Sequence, residues 1–258
     1  MKRLHSTFFI NPLTVLYLSL GLMFNRFGFI IVHYFIAFIH ELSHYLMAVS
    51  LKIKVKEIQF LPIGLFIKID ILEEEKFYKQ LLILIAGPLS FFISLALIKL
   101  AYSKGFLSYY GYFDALVSNR FILLFNLLPI YPLDGSKLIE LFLSPFLNEY
   151  KLRVTRSIIS ILSLVVISYY LVSLGEVLTM VFLFFVTILS LINLKKDYLL
   201  FLLKRLKKKN KRKVRVNKNQ EIYRLYDNYY LKNNNLQNES QIIQEILKKE
   251  QLKKEIIN

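Results

Sequence analysis

The residues His40-Glu41-Leu42-Ser43-His44 set two imidazoles four positions apart, with a carboxylate next to the first. On a helix, residues i and i+4 share a face, so both rings can meet one cation. Glu41 lies about 100° round and reaches a water rather than the metal. The pattern supplies two ligands and a general base, the parts of a metal-assisted hydrolysis. Shuffling this composition would give about 0.003 such matches, so chance does not account for it. The chain has four histidines and no cysteine. Disulfide scaffolds, thiol nucleophiles and iron–sulfur clusters are excluded, and any metal site must be built from nitrogen and oxygen.

A four-coordinate catalytic zinc needs a third protein ligand and one open position. His33 stands about 10 Å further along the same helix, which suits a core side chain, and His5 merely flanks the first apolar run. The third ligand is therefore expected among the carboxylates. Asp134 closes the stretch Asn126-Leu127-Leu128-Pro129-Ile130-Tyr131-Pro132-Leu133-Asp134. Its prolines remove backbone donors at membrane depth, where irregular backbone must be buried in protein or line a wet cavity. The plainer reading of Asp134 is a solvated turn before Gly135. Asp114 starts the same apolar run at its far end, and Asp70, Glu73, Glu74 and Glu75 fall in a polar loop, so none of them suits the site. Asn126 either meets substrate backbone or a scissile carbonyl, or bonds a neighbouring helix. Pro132 is assigned with it to substrate binding.

The elements that must hold these residues are apolar. Hydrophobic residues make up 55% of 258, and six runs approach the roughly 30 Å hydrocarbon thickness: 7–24, 28–50, 81–102, 115–133, 155–174 and 177–194. The expected fold is an α-helical polytopic membrane protein of six transmembrane helices, with a short membrane-associated β-hairpin between helices 2 and 3. The hairpin is read from the alternation Lys52-Ile53-Lys54-Val55-Lys56 and a turn near Pro62 and Gly64. The first run follows Lys2 and Arg3 as a signal peptide would, but no small-residue cleavage site follows, so it reads as a retained span. Basic residues gather on one side of the alternating spans and leave only Arg26 and Lys104 on the other. That predicts an integral, multi-pass chain with both termini cytoplasmic and the 40–44 motif in the cytoplasmic half.

The net charge is +16. Residues 204–215 are mostly Lys and Arg, a solvated stop signal that can also hold anionic lipid at about 1 kcal/mol per charge. No nucleic-acid-binding fold is legible, so nucleic acid is not an expected partner. Residues 219–231 and 240–256 read as helical, the second through Glu and Lys pairs at i and i+4.

These features resemble the site-2 protease family of intramembrane zinc metalloproteases. The 40–44 motif on one span, Ala86-Gly87-Pro88 on the next and residues 126–135 on the fourth agree with that family in order, spacing and depth. The likeness covers about residues 1–200 and is nearest the sporulation subgroup, which releases a sigma factor from a membrane-tethered precursor. It implies Zn2+ held by His40, His44 and Asp134, Glu41 as catalytic acid and base, and a segment near 53–69 that presents substrate as an added strand. It divides the chain into a six-span membrane metalloprotease domain, 1–200, and a basic cytoplasmic tail, 201–258. In the tail, 214–226 and 241–247 faintly resemble the ends of a nucleotide-sensing CBS-like domain. Phe91 stands where many members carry Asn. The implied substrate is a membrane-tethered protein such as a pro-sigma factor, in the bacterial cell membrane or the forespore membrane. Inhibitory membrane partners and homo-oligomer formation stay open. A metal transporter or an inactive scaffold would use the same His and Asp residues, and Glu41 separates them: only a hydrolase needs it as a base.

Overall fold

The computed structural model describes residues 7–10, 27–53, 55–61, 64–69, 73, 75–173, 177–207, 213–217, 219–232 and 235–257. They form two compact units, residues 1–72 with 78–127, and residues 73–77 with 128–258.

The first unit holds β1 (Thr7–Ile10), α1 (Phe27–Ser50), β2 (Val55–Leu61), β3 (Gly64–Ile69), α2 (Phe77–Ser103) and α3 (Tyr109–Asn126). Strands β2 and β3 are the expected hairpin, antiparallel with Leu61 opposite Gly64. β1 adds in parallel to β2, so the sheet order is β1-β2-β3 and β3 is an edge. α1 is closed by a Schellman motif: Lys52 N–H donates to the Val49 carbonyl and Ile53 N–H to that of Ala48, both at 2.9 Å. Lys52 occupies the left-handed position, φ 59°. Ile53 packs with Ala48 and Ile83 beneath the turn. α2 ends the same way, with Gly105 at φ 76°. Ser108 then caps α3 by accepting from Gly111 N–H at 3.1 Å. Ile36 and Ala37 of α1, Ile98 of α2, and Ala115 and Ile122 of α3 form the core that fixes the three helices.

The second unit holds α4 (Asp134–Leu143), α5 (Glu149–Ser173), α6 (Val177–Lys207), β4 (Lys213–Asn217), β5 (Tyr226–Lys232), β6 (Asn235–Asn238) and α7 (Glu239–Ile257). β5 is central, parallel to β4 and antiparallel to β6. Phe201 and Leu202 of α6 pack with Ile222, Tyr230, Ile242 and Ile243. Asn238 N–H donates to the Gln241 side chain at 3.1 Å, half of a capping box at the start of α7.

Three described helices are long and apolar enough to cross a membrane: Gly28–Ser50, Phe77–Ser103 and Glu149–Val172. Six spans were expected; the other three runs fall as follows. The first run opens as β1, whose pairing with β2 replaces helix at residues 7–10; residues 11–24 lie outside the described residues. The fourth run, 115–133, is helix only to Asn126, because Pro129 and Pro132 have no N–H to continue it. The sixth run forms α6, which continues through the basic residues to Lys207, since Lys, Arg and Leu all favour helix. Residues 219–231 are a turn and strand rather than helix; Asn228 ties the chain back on itself at Tyr223, donating to its carbonyl at 3.0 Å and accepting from its N–H at 3.1 Å. The helix expected at 240–256 is α7.

Candidate metal centre

α1 presents His40 and His44 on one buried face, 3% and 6% exposed. Their Nε2 atoms stand 3.3 Å apart. One ligand atom from each of His40, Glu41 and His44 lies within 4.8 Å of the other two. His44 Nδ1 is 2.7 Å from the Ile83 carbonyl of α2. A carbonyl only accepts, so Nδ1 carries the proton and Nε2 presents its lone pair, the tautomer a metal ligand needs. Two nitrogens held at about 2.0–2.1 Å from one tetrahedral zinc stand about 3.3–3.4 Å apart, so the donor set fits this ion.

Gly87 makes that arrangement possible. A Cβ at this position would lie 2.1 Å from His44 Nε2 and 2.8 Å from His40 Cε1. α2 therefore passes the two rings at backbone distance. Pro88, one residue on, lies inside α2 and cannot donate to the Leu84 carbonyl, which loosens the helical ladder next to the carbonyl that His44 uses. On its far side His40 borders a narrow cleft lined by Ile36, Pro88, Ser90, Phe91, Asn119 and Ile122. Asn119 of α3, 2% exposed, spans that cleft by donating from Nδ2 to the Phe91 carbonyl at 3.1 Å. An amide thus enters the cleft from α3, although position 91 is Phe.

The other expected residues fall as follows. His33 stacks on Phe29 and tilts against Phe121, each at 6.1 Å between ring centroids, which suits the core role. Asn126 donates from Nδ2 to the Ile122 carbonyl of its own helix at 3.0 Å. Asp134 and Pro132 belong to the second unit. Asp134 is 5% exposed, opens α4 where the helix dipole favours a carboxylate, and accepts from Lys137 Nζ at 3.1 Å. The segment before it is anchored to α5. Tyr131 N–H donates to Ser160 Oγ at 3.0 Å, and the Arg156 guanidinium covers the Tyr131 ring at 3.7 Å. The contacts of Gly87, Ile83 and Asn119 around the two histidines were not legible in the sequence. Adjacent glycine and proline inside an apolar run were the available signal for the first.

Residues 28–118 match the family model of peptidase family M50. That stretch includes the 40–44 motif and Ala86-Gly87-Pro88 and ends before Asn126. The chain is 28% identical over 158 residues to stage IV sporulation protein FB of Bacillus subtilis, covering 58% of this chain and 53% of that protein. It is 30% identical over 190 residues to zinc metalloprotease MJ0392 of Methanocaldococcus jannaschii, covering 70% of this chain and 54% of the relative. The chain thus spans about half the length of the curated relatives it matches. The solved site-2 protease from Methanocaldococcus jannaschii shares the fold, with a TM-score of 0.57 at 24% identity over 74% of this chain and 93% of that one. The resemblance read from the motifs is borne out in sequence and in fold.

Proposed function

We propose that this chain is an intramembrane zinc endopeptidase that cleaves a membrane-tethered protein within or near its membrane segment. The observation that carries the reading is the pair of buried Nε2 atoms 3.3 Å apart, one of them held in the ligand tautomer by Ile83. His40 and His44 would hold the ion, with Asp134 proposed as the third ligand. Bound zinc would supply Lewis acidity for water and for the scissile carbonyl.

The chain's own residues do the rest. Glu41, adjacent on α1, takes a proton from the attacking water and later returns it to the leaving amine. A substrate helix hides its carbonyls in its own hydrogen bonds and must be unwound before cleavage. The hairpin of β2 and β3 is proposed to hold the unwound stretch as an added strand. The proposed substrate is a pro-sigma factor of sporulation, from the similarity to stage IV sporulation protein FB. The proposed topology is six spans with both termini cytoplasmic.

The test is co-expression with membrane-tethered sigma-factor precursors, scored by product size and by zinc content. Wild type should yield a shorter product, and Glu41→Gln should keep stoichiometric zinc while losing the product. A fragment that persists in Glu41→Gln, or purified wild type without bound metal, overturns the reading. Cleavage of some other anchored regulator would redirect only the substrate.

A further inference from the structure

Six ionisable side chains of the second unit take no part in the chemistry above: Glu73, Glu140, Glu149, Arg153, Arg156 and Arg224. All but Glu73 are at most 4% exposed. Burial of so many charges is tolerated only because they are paired and hydrogen-bonded, three of each sign. Arg224 forms the hub. Its Nε donates to Glu149 Oε2 at 2.9 Å and its Nη2 to Glu149 Oε1 at 2.8 Å. The same Nη2 also donates to Glu140 Oε1. Arg156 Nη1 donates to the other Glu140 oxygen at 3.0 Å. Arg153 bridges Glu149, at 2.7 Å, to Glu73, at 2.9 Å.

Arg224 is itself held firmly. Glu149 N–H donates to the neighbouring Ile222 carbonyl at 2.7 Å. Arg205, near the end of α6, donates to the Arg224 carbonyl at 2.8 Å and pairs with Glu239 at the start of α7. The turn that carries Arg224 is thereby fixed to α5, α6 and α7 together.

The network bears on Asp134 because α4 begins there and has only ten residues, too few to hold its own direction without tertiary anchors. The anchors flank Asp134 on both sides. Tyr131, three residues before it, is covered by Arg156. Glu140, six residues after it, is gripped by Arg156 and Arg224. We propose that Arg224, on the C-terminal segment, is a positioning residue for Asp134: by bridging Glu140 to Glu149 it sets the direction of α4 and with it the aim of the Asp134 carboxylate. This rests on Asp134 being a metal ligand, as proposed above. It makes residues beyond 201 a determinant of metal affinity.

The test uses the full chain in detergent. Zinc affinity is measured by competition with a chromophoric chelator, and the visible spectrum of the cobalt-loaded protein reports ligand geometry. Arg224→Met should weaken zinc about 10-fold, the lower end of what losing a group bonded directly to a ligand costs, because Arg224 acts on Asp134 through Glu140, and should alter the cobalt spectrum. Arg224→Lys keeps the charge but not the fork that joins two carboxylates, and should fall between that variant and wild type. Lys151→Ala, which removes the more exposed pair to Glu221 beside the same turn, should match wild type. Unchanged affinity and spectrum in Arg224→Lys and Arg224→Met overturn the coupling. If Arg224→Met does not fold, Arg224→Lys decides. Equal zinc affinity in Asp134→Ala and wild type would instead overturn the ligand assignment, and the coupling with it.

Discussion

Replacing Gly87 by alanine adds one methyl group where α2 passes the two imidazoles. Its carbon would lie 2.1 Å from His44 Nε2, 2.5 Å from His44 Cε1 and 2.8 Å from His40 Cε1. Non-bonded atoms settle at about 3.5–4.0 Å, so the shortfall against His44 is about 1.4 Å or more. If α2 retreats, the packing of Ile83 on Ala48 and Ile53 is lost, a strain of about 1–3 kcal/mol. If the ring turns instead, its bond to Ile83 breaks and a buried carbonyl goes unsatisfied, at about 1–3 kcal/mol. Either way His44 Nδ1 and the Ile83 carbonyl part. Loss of such a hydrogen-bond partner to a metal ligand costs about 10- to 100-fold in metal affinity, and with the clash added the expected loss is about 100-fold, or about 3 kcal/mol. Helix propensity alone predicts the reverse, a stabilisation of about 1 kcal/mol. Chelator competition and thermal unfolding of the same preparation separate the two. Wild-type zinc affinity together with a raised melting temperature in Gly87→Ala would refute the reasoning.

Glu41→Gln should leave zinc affinity near wild type and slow cleavage by about 10²–10⁴, measured as product per time on a tethered substrate. Lys52→Gly relieves a side chain at φ 59° and should raise stability by about 0.5–1 kcal/mol in thermal unfolding, because Lys52 is exposed at a helix end that suits glycine. Burial alone would raise the Glu140 carboxyl, but Arg224 and Arg156 outweigh it and hold it down at about 2, against an ordinary value of 4.5. A carboxylate depressed in the folded state stabilises it above the ordinary value and loses that contribution as pH falls toward 2. Wild type should therefore lose stability across that window in an acid titration followed by near-ultraviolet circular dichroism. Glu140→Gln should start lower at neutral pH and show a shallower slope; equal slopes would count against the pairing.

The clustering of His40 and His44 was legible because helical periodicity alone sends positions 40 and 44 to one face. The hairpin was legible because alternation and the turn residues near Pro62 and Gly64 act locally. The break at Pro129 and Pro132 was legible, but the apolar run was drawn on to 133 because Leu127, Leu128, Ile130 and Leu133 keep the chain apolar beyond the end of the helix at Asn126. The strand at Tyr226–Lys232 was hidden for a different reason. Its partners lie in β4 and β6, and a mixed run such as Tyr226-Asp227-Asn228-Tyr229-Tyr230 has no strong period of its own. The charge network was least visible. Arg224 pairs with residues 75 and 84 positions away, and an isolated arginine in a basic tail carries no local mark of burial.

α6 runs unbroken for 31 residues, about 46 Å at helical rise. Its length makes the orientation of its far end sensitive to helical phase. Inserting one alanine near residue 197 would swing everything beyond it through about 100°. Arg205 would then face away from the Tyr223–Tyr226 turn while every side chain kept its identity. Phase along this rod, as much as the chemistry of its residues, governs whether the C-terminal segment docks.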